Sequence, residues 1–151
     1  MTRRFFDQVD DELRGLLGPE LRGYSSHRDG RLIKLWYAEP AVHFEAQRIG
    51  ARWVPGAGPV IEVGLHLEGP STEANDEVLA VLRRARGWRS RLRHAQVGPA
   101  FGPQSSRWRR VSEVLDLPDA DDADLASEVA ARLAVYVRTL KPLLEAGATK
   151  P

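Results

Sequence analysis

The sequence contains no cysteine among its 151 residues. This absence excludes a disulfide framework, a thiolate metal site and a cysteine nucleophile. No apolar run approaches the roughly 18 residues that a membrane-spanning helix needs. The basic start at Arg3 and Arg4 is followed by Asp7 and not by the apolar core of a signal peptide. We therefore expect a cytoplasmic protein with no membrane partner.

Common catalytic and nucleotide-binding signatures are also missing. The chain has no Gly-x-Ser-x-Gly motif, no phosphate loop of the Gly-x-x-x-x-Gly-Lys kind and no Gly-x-Gly-x-x-Gly after a predicted strand. The short Gly56-Ala57-Gly58 segment is flanked by prolines, which is typical of a hairpin loop. We expect no common organic cofactor, and whether the protein is an enzyme stays open at this point.

The overall composition is that of a folded globular protein. Apolar residues make up 42% of the chain and charged residues 28%, with a formal net charge of +1. A chain of this length matches one domain, which on folding buries roughly 70% of the unfolded surface. We predict a single domain over residues 1–146 and a flexible C-terminal tail over 147–151.

Hydrophobic periodicity predicts an α+β fold. Helical spacing of apolar residues predicts a first helix ending at Gly18-Pro19, a second capped by Ser71 or Thr72, and a last one capped by Asp121 or Asp122. Alternating segments at about 22–28, 31–38, 42–54 and 60–68 predict an antiparallel meander, with turns at Asp29-Gly30 and at 55–59. One or two further strands are expected within 95–117. The result is a sheet of four to six strands with about three helices packed on one face, in the order α-β-β-β-β-α-(β-β)-α.

Two His-x-Glu triplets lie on strands that the turn at 55–59 should make adjacent. Period-two alternation places their polar side chains on one face of the sheet. Two imidazoles and several carboxylates are the ligand set of a divalent ion such as Zn²⁺ or Mn²⁺, and also the groups needed for general acid/base catalysis. The candidate metal ligands are His43, Glu45, Glu62, His66 and Glu68.

Two points about this face stay open in the sequence. The alternative to a site is the solvated outer face of an antiparallel sheet, where alternating polar residues are expected anyway. The register also needs one extra residue near 48–50, a β-bulge at Gly50, which would set Glu45 opposite Glu68 and Gln47 opposite His66.

The middle of the chain lacks acidic residues altogether between Glu77 and Glu113. Arginines interleaved with tryptophans in this interval can follow phosphates by charge and stack bases on indole rings. An acidic block over 113–128 follows, and it offers the alternative that the two blocks neutralise each other. The candidate nucleic-acid-binding residues are Arg83, Arg84, Arg86, Trp88, Arg89, Arg91, Arg93, Arg107, Trp108, Arg109 and Arg110.

These patterns favour two functions of different kinds. The first is a small non-enzymatic binding or regulatory module whose arginine-rich surface meets a nucleic acid or an acidic protein. The second is a metal-dependent hydrolase or nuclease that works from the His/Glu cluster on an exposed sheet face. The sequence gives neither the ligand nor the oligomeric state.

Overall fold

The fold is known from a computed structural model that describes residues 4–50, 52–54, 60–116 and 122–148. Six strands form one antiparallel sheet in the order β1-β2-β3-β4-β6-β5. The predicted α+β class and element order are therefore confirmed. The elements are α1 (Phe5–Leu16), β1 (Ser25–Arg28), β2 (Leu32–Trp36), β3 (Val42–Ile49), β4 (Val60–Leu67), α2 (Thr72–Arg84), α3 (Trp88–Arg91), β5 (Gln96–Pro99), β6 (Arg109–Asp116) and α4 (Asp122–Ala148).

The positions of the helices follow from the spacing of their apolar residues and from capping at their first turns. In α1, Phe6, Val9 and Leu13 recur at helical spacing and are buried. At the start of α2, the Ser71 hydroxyl accepts a hydrogen bond from the Ala74 amide at 3.1 Å. This cap satisfies an amide that has no partner within the helix, so the helix begins directly after this serine.

One face of the sheet carries the hydrophobic core. Side chains of α1, α2 and α4 pack there against apolar residues from β2, β3, β4 and β6. Burial of this apolar surface is the main favourable contribution to folding. Fully buried members from the sheet are Ile33, Leu35, Ala46, Ile61, Val63, Leu65, Leu67 and Val111, and from α4 they include Val129, Leu133, Tyr136, Val137 and Leu140.

The turn between β1 and β2 forms at Asp29-Gly30, as predicted. A two-residue hairpin does form, because the Asp29 amide donates to the Leu32 carbonyl at 3.0 Å. Gly30 does not have positive φ, however. Instead the Asp29 carboxylate accepts from the amides of Arg31 and Leu32 at 2.7 and 3.1 Å. An Asp side chain bound to its own turn replaces the positive-φ geometry.

The third strand is shorter than predicted. It ends at Ile49, which pairs with Val60, and not near residue 54. The expected turn at 55–59, the Asp121 cap and residues 149–151 lie outside the described residues, while α4 continues to Ala148. In the described ranges no helix has both the length and the apolar character needed to cross a bilayer.

Candidate metal centre

The register between β3 and β4 brings the two His-x-Glu triplets side by side. His43 lies opposite His66, Glu45 opposite Gly64 and Gln47 opposite Glu62. The shared polar face is as predicted, but the predicted bulge and the pairing of Glu45 with Glu68 are wrong. Because β3 ends at Ile49, the connection to β4 is longer than the expected turn, and the pairing shifts without any bulge.

This polar face is buried. His43, Glu45 and His66 are each 2% exposed, and Glu62 is fully inaccessible. The two imidazole rings stack with centroids 5.6 Å apart and planes at 18°. The interpretation as a solvated outer face, and the placement of the cluster on an exposed surface, are both wrong. Unpaired charges buried to this degree would be costly, so the polar atoms must find partners within the cluster.

The His43 ring is held with one nitrogen facing the backbone and the other facing the cluster. Nδ1 lies 2.8 Å from the Pro40 carbonyl oxygen, which can only accept, so Nδ1 carries a proton and donates it. Nε2 lies 2.9 Å from Glu45 Oε1 and 3.7 Å from Glu68 Oε2. Histidines that ligate metals are typically oriented this way, with the outer N–H bound to a carbonyl or carboxylate.

The His66 ring sits between two carboxylates. Nε2 lies 3.0 Å from Glu62 Oε2, and Nδ1 lies 3.2 Å from Glu68 Oε2. Burial lowers the pKa of His66, but the charges of Glu62 and Glu45 and the hydrogen bonds to Glu62 and Glu68 outweigh it. The net effect raises the pKa of His66 well above its ordinary value, so without a bound ion this imidazole is protonated at neutral pH.

Glu62 is held by three donors at once. Its carboxylate accepts from His66, from the Ser112 hydroxyl at 2.6 Å and from the Gln47 amide at 2.7 Å. Burial raises its pKa, but the charge of His66 and these hydrogen bonds lower it to about 2. Glu62 is therefore ionised. It faces the outer nitrogen of His66 and lies beyond the group of atoms that could meet at one ion.

Four of the five predicted ligands do converge. His43, Glu45, His66 and Glu68 each offer one ligand atom, and these atoms all lie within 4.8 Å of one another. Burial raises the pKa of Glu68, but the hydrogen bond from His66 and the nearby positive charges lower it overall. Two carboxylates and two imidazoles thus surround one point in the sheet.

Lys34 is a member of the cluster that sequence reasoning missed. Its ammonium lies 3.8 Å from Glu45 Oε1 and 3.6 Å from Glu68 Oε1. It extends from β2 opposite Glu45, so the lysine stands beside both carboxylates. As the sole lysine in the predicted strands it carried a signal, because alternation places it on the polar face.

A hydrogen-bond chain continues the cluster across β6 to β5. Arg110 donates to the Ser112 hydroxyl at 2.8 Å, to the Gln96 side chain at 2.8 Å and to the Pro99 carbonyl at 3.0 Å. Its guanidinium also lies 3.9 Å from the centroid of the Phe101 ring. The prediction that Arg110 belongs to an open nucleic-acid surface is not supported, because the residue is buried at 7% exposure.

Gly64 lets the backbones of β4 and β6 approach closely beside this cluster. It lies between Glu62 and His66 on the same face of β4 and has φ of 157°. A Cβ there would come within 2.3 Å of the Val111 carbonyl oxygen and 2.5 Å of the Ser112 Cα. A glycine within a strand often marks such a close approach of two backbones.

The other predicted nucleic-acid residues divide into two groups. Trp88 is buried at 3% exposure with its indole N–H bound to the Leu82 carbonyl, so the expectation that it stacks bases is wrong. Arg109 pairs with Asp76 at 2.9 Å, and Trp108 is half-buried. The remaining arginines, at 83, 84, 86, 89, 91, 93 and 107, are exposed.

A separate apolar cavity of about 410 Å³ lies between the end of β2, the start of β3 and the helices α2 and α4. Its lining includes Tyr37, Val42, Val78, Val81 and Leu144. None of the site residues predicted from the sequence lines it.

Comparison of the chain with protein-family models, with curated proteins and with solved structures gives no match.

Proposed function

We propose that this protein is a small non-enzymatic module that binds one divalent transition-metal ion at His43, Glu45, His66 and Glu68. The observation that carries the proposal is the arrangement of the two histidines. The outer nitrogen of each ring is held by a partner that fixes its orientation, the Pro40 carbonyl for His43 and the Glu62 carboxylate for His66. The inner nitrogens then face Glu45 and Glu68.

The donor set suits a particular kind of ion. Two imidazole nitrogens and two carboxylate oxygens are typical of Zn²⁺ and acceptable to Mn²⁺, whereas Mg²⁺ and Ca²⁺ prefer oxygen alone. Zn²⁺ bonds of about 2.0–2.1 Å place tetrahedral ligands about 3.4 Å apart. The ligand atoms, which lie within 4.8 Å of one another, need to move inward by roughly an ångström.

Burial favours a binding role over catalysis. A catalytic metal keeps an open coordination position for water or substrate, whereas a structural metal is enclosed by its protein ligands. The side chains of His43, Glu45 and His66 are 2–3% exposed, and that of Glu68 is 12% exposed. The metal-dependent hydrolase is therefore the second candidate, because it needs a substrate to reach an ion at this depth.

Direct metal binding tests the proposal. Protein purified without a nickel column and stripped with chelator is titrated with Zn²⁺ and Mn²⁺ by calorimetry, and its thermal stability is followed in parallel. One ion per chain is expected. An ion at 100 times its dissociation constant adds about 2.7 kcal/mol of stability, or on the order of 5–10 °C for a domain of this size.

Matched variants locate the ion. Glu68→Gln removes a ligand charge at the least buried position of the cluster and should abolish most of the stabilisation. Glu39→Gln and His27→Ala change exposed residues outside the cluster and should leave it intact. Equal stabilisation in Glu68→Gln, or no stabilisation of the unmodified protein, would reject the site.

A substitution of Lys34 tests the site by an expected increase in metal affinity. Its ammonium lies close to both carboxylates and repels an incoming cation. Lys34→Met should therefore bind Zn²⁺ several-fold more tightly than the unmodified protein. Weaker or unchanged binding by this variant would contradict an ion located between Glu45 and Glu68.

A further inference from the structure

We propose a second binding surface, formed by the arginines of residues 83–93, that holds the phosphate backbone of a double-stranded nucleic acid. This segment spans the end of α2, the link through Gly87 and all of α3. We call it the arginine segment. Its basic residues are Arg83, Arg84, Arg86, Arg89, Arg91 and Arg93.

The arginine segment is folded so that its charges face outward. Trp88 and Leu92 are buried at 3% and 4% exposure and anchor the segment to the core. The Trp88 indole donates to the Leu82 carbonyl at 2.8 Å, which ties the start of α3 to the last turn of α2. All six arginines are exposed. Six positive charges are thereby confined to an 11-residue segment that is held compact.

These charges have no acidic partner in the described ranges. The ion pairs found there involve other cations, such as Arg109 with Asp76 and Arg132 with Glu113. No acidic residue occurs in the sequence between Glu77 and Glu113. Within the acidic block, Glu113 is engaged by Arg132 and Tyr136, so it does not neutralise the segment. A local concentration of unpaired arginine attracts polyanions and speeds their association.

The same observations favour a duplex over other polyanions. Membrane surfaces are usually bound with apolar anchors, but Trp88 and Leu92 are buried. Single strands are usually bound by stacking on exposed aromatic rings, and the segment has none. What remains is a group of six exposed guanidinium groups, which bind phosphate oxygens without reading bases.

Salt dependence tests this inference. Binding of labelled 20-base-pair DNA and RNA duplexes is measured by fluorescence anisotropy over a series of salt concentrations, with EDTA present so that no metal ion contributes. Each phosphate neutralised on duplex DNA contributes about 0.9 to the slope of log K against log salt. The variant Arg84→Gln/Arg89→Gln/Arg93→Gln should reduce that slope by about 3 and weaken low-salt binding at least tenfold.

The control variant is Arg4→Gln/Arg31→Gln/Arg52→Gln, which makes the same charge change at exposed positions elsewhere. It should keep most of the duplex affinity. No duplex binding at low salt, or equal weakening by both variants, would overturn the inference. Tighter binding of polyglutamate or of single-stranded DNA than of either duplex would also overturn it, by assigning the surface to an acidic protein or to a single strand. Thermal melts confirm that both variants are folded.

Discussion

Glu62 and His66 carry opposite charges 3.0 Å apart in a part of the sheet without solvent access. Removing charges from water is costly, and their attraction offsets this cost only while both partners are present. The pair therefore makes the stability of the metal-free protein sensitive to pH and to single substitutions.

On the acid side, stability should fall as Glu62 is protonated. Its pKa is lowered from 4.5 to about 2 in the folded protein. The stabilisation is therefore present above pH 4.5 and is lost as the pH falls toward 2, by about 3 kcal/mol. Urea unfolding of the chelated protein between pH 2 and 5 measures this loss. In Glu62→Gln the free energy of unfolding should change less steeply with pH over this range. A pH dependence equal to that of the unmodified protein would contradict the lowered pKa of Glu62.

On the alkaline side, stability should fall as His66 loses its proton. Its folded pKa is raised well above 6.5, so its contribution is complete below pH 6.5 and is lost as the pH rises through the folded pKa. The pair is thus most stabilising between about pH 4.5 and 6.5. Unfolding measurements continued to pH 10 should show this decline in the unmodified protein and not in His66→Gln.

Coupling between the two residues should appear in a double-mutant cycle. His66→Gln alone leaves a buried carboxylate without its charge partner and should cost about 3 kcal/mol of unfolding free energy. Adding Glu62→Gln removes that orphaned charge, so the double variant should be less destabilised than the sum of the two single variants. Strictly additive effects in the presence of EDTA would show that the two side chains are not an interacting pair.

At the scale of secondary-structure elements, the close approach of β4 and β6 depends on Gly64. An alanine Cβ there would press on backbone atoms of Val111 and Ser112, which cannot move without shifting a strand. Overpacking of this kind typically costs 1–3 kcal/mol. We expect Gly64→Ala to lower the melting temperature by about 5 °C.

Gly98 on β5 provides the matched control. It lies in the same sheet, opposite Arg110, and a Cβ at this position meets no atom within 4 Å. Gly98→Ala should change the melting temperature by less than about 2 °C. Similar losses in the two variants would show that neither the contact with β6 nor the φ of Gly64 sets the cost of the substitution.

Strands β3 and β4 show which features of the fold can be predicted from the sequence and which cannot. Periodicity was sufficient for the element order and for the polar face of β3 and β4, because side-chain direction follows directly from spacing. It failed for the register, since that depended on where β3 ended and not on the alternation itself. The alternation of polar and apolar residues over 42–49 is the same whether β3 ends at Ile49 or continues to Val54.

Burial of the polar face could not be predicted from β3 and β4 alone. Alternation tells which side a residue faces but not what its neighbours are. Lys34 from β2 and Ser112 and Arg110 from β6 complete the cluster, and these strands are brought alongside only by the fold. The sequence predicts a surface position for Arg110 because it lies among arginines, whereas its hydrogen bonds to β5 and β6 hold it in a buried position.

In the whole molecule, the two proposed binding sites lie in different places, one buried and one exposed. The proposed metal site is enclosed by the central strands, and the arginine segment is exposed at the end of α2 and in α3. The experiments on each can therefore fail independently. Protein stripped of metal by a chelator should still bind a duplex. The variant that lacks three arginines of the segment should still bind Zn²⁺.

The position of the proposed ion, between His43, Glu45, His66 and Glu68, can be observed in crystals. Crystals grown with one equivalent of Zn²⁺, with diffraction data recorded on both sides of the zinc absorption edge, test it most directly. We expect a single strong anomalous peak about 2.0–2.2 Å from His43 Nε2, His66 Nδ1 and one oxygen of each glutamate. We also expect the Glu62 carboxylate to remain on His66 Nε2. A cluster without a peak, with zinc bound only at exposed histidines such as His27 or His94, would contradict it.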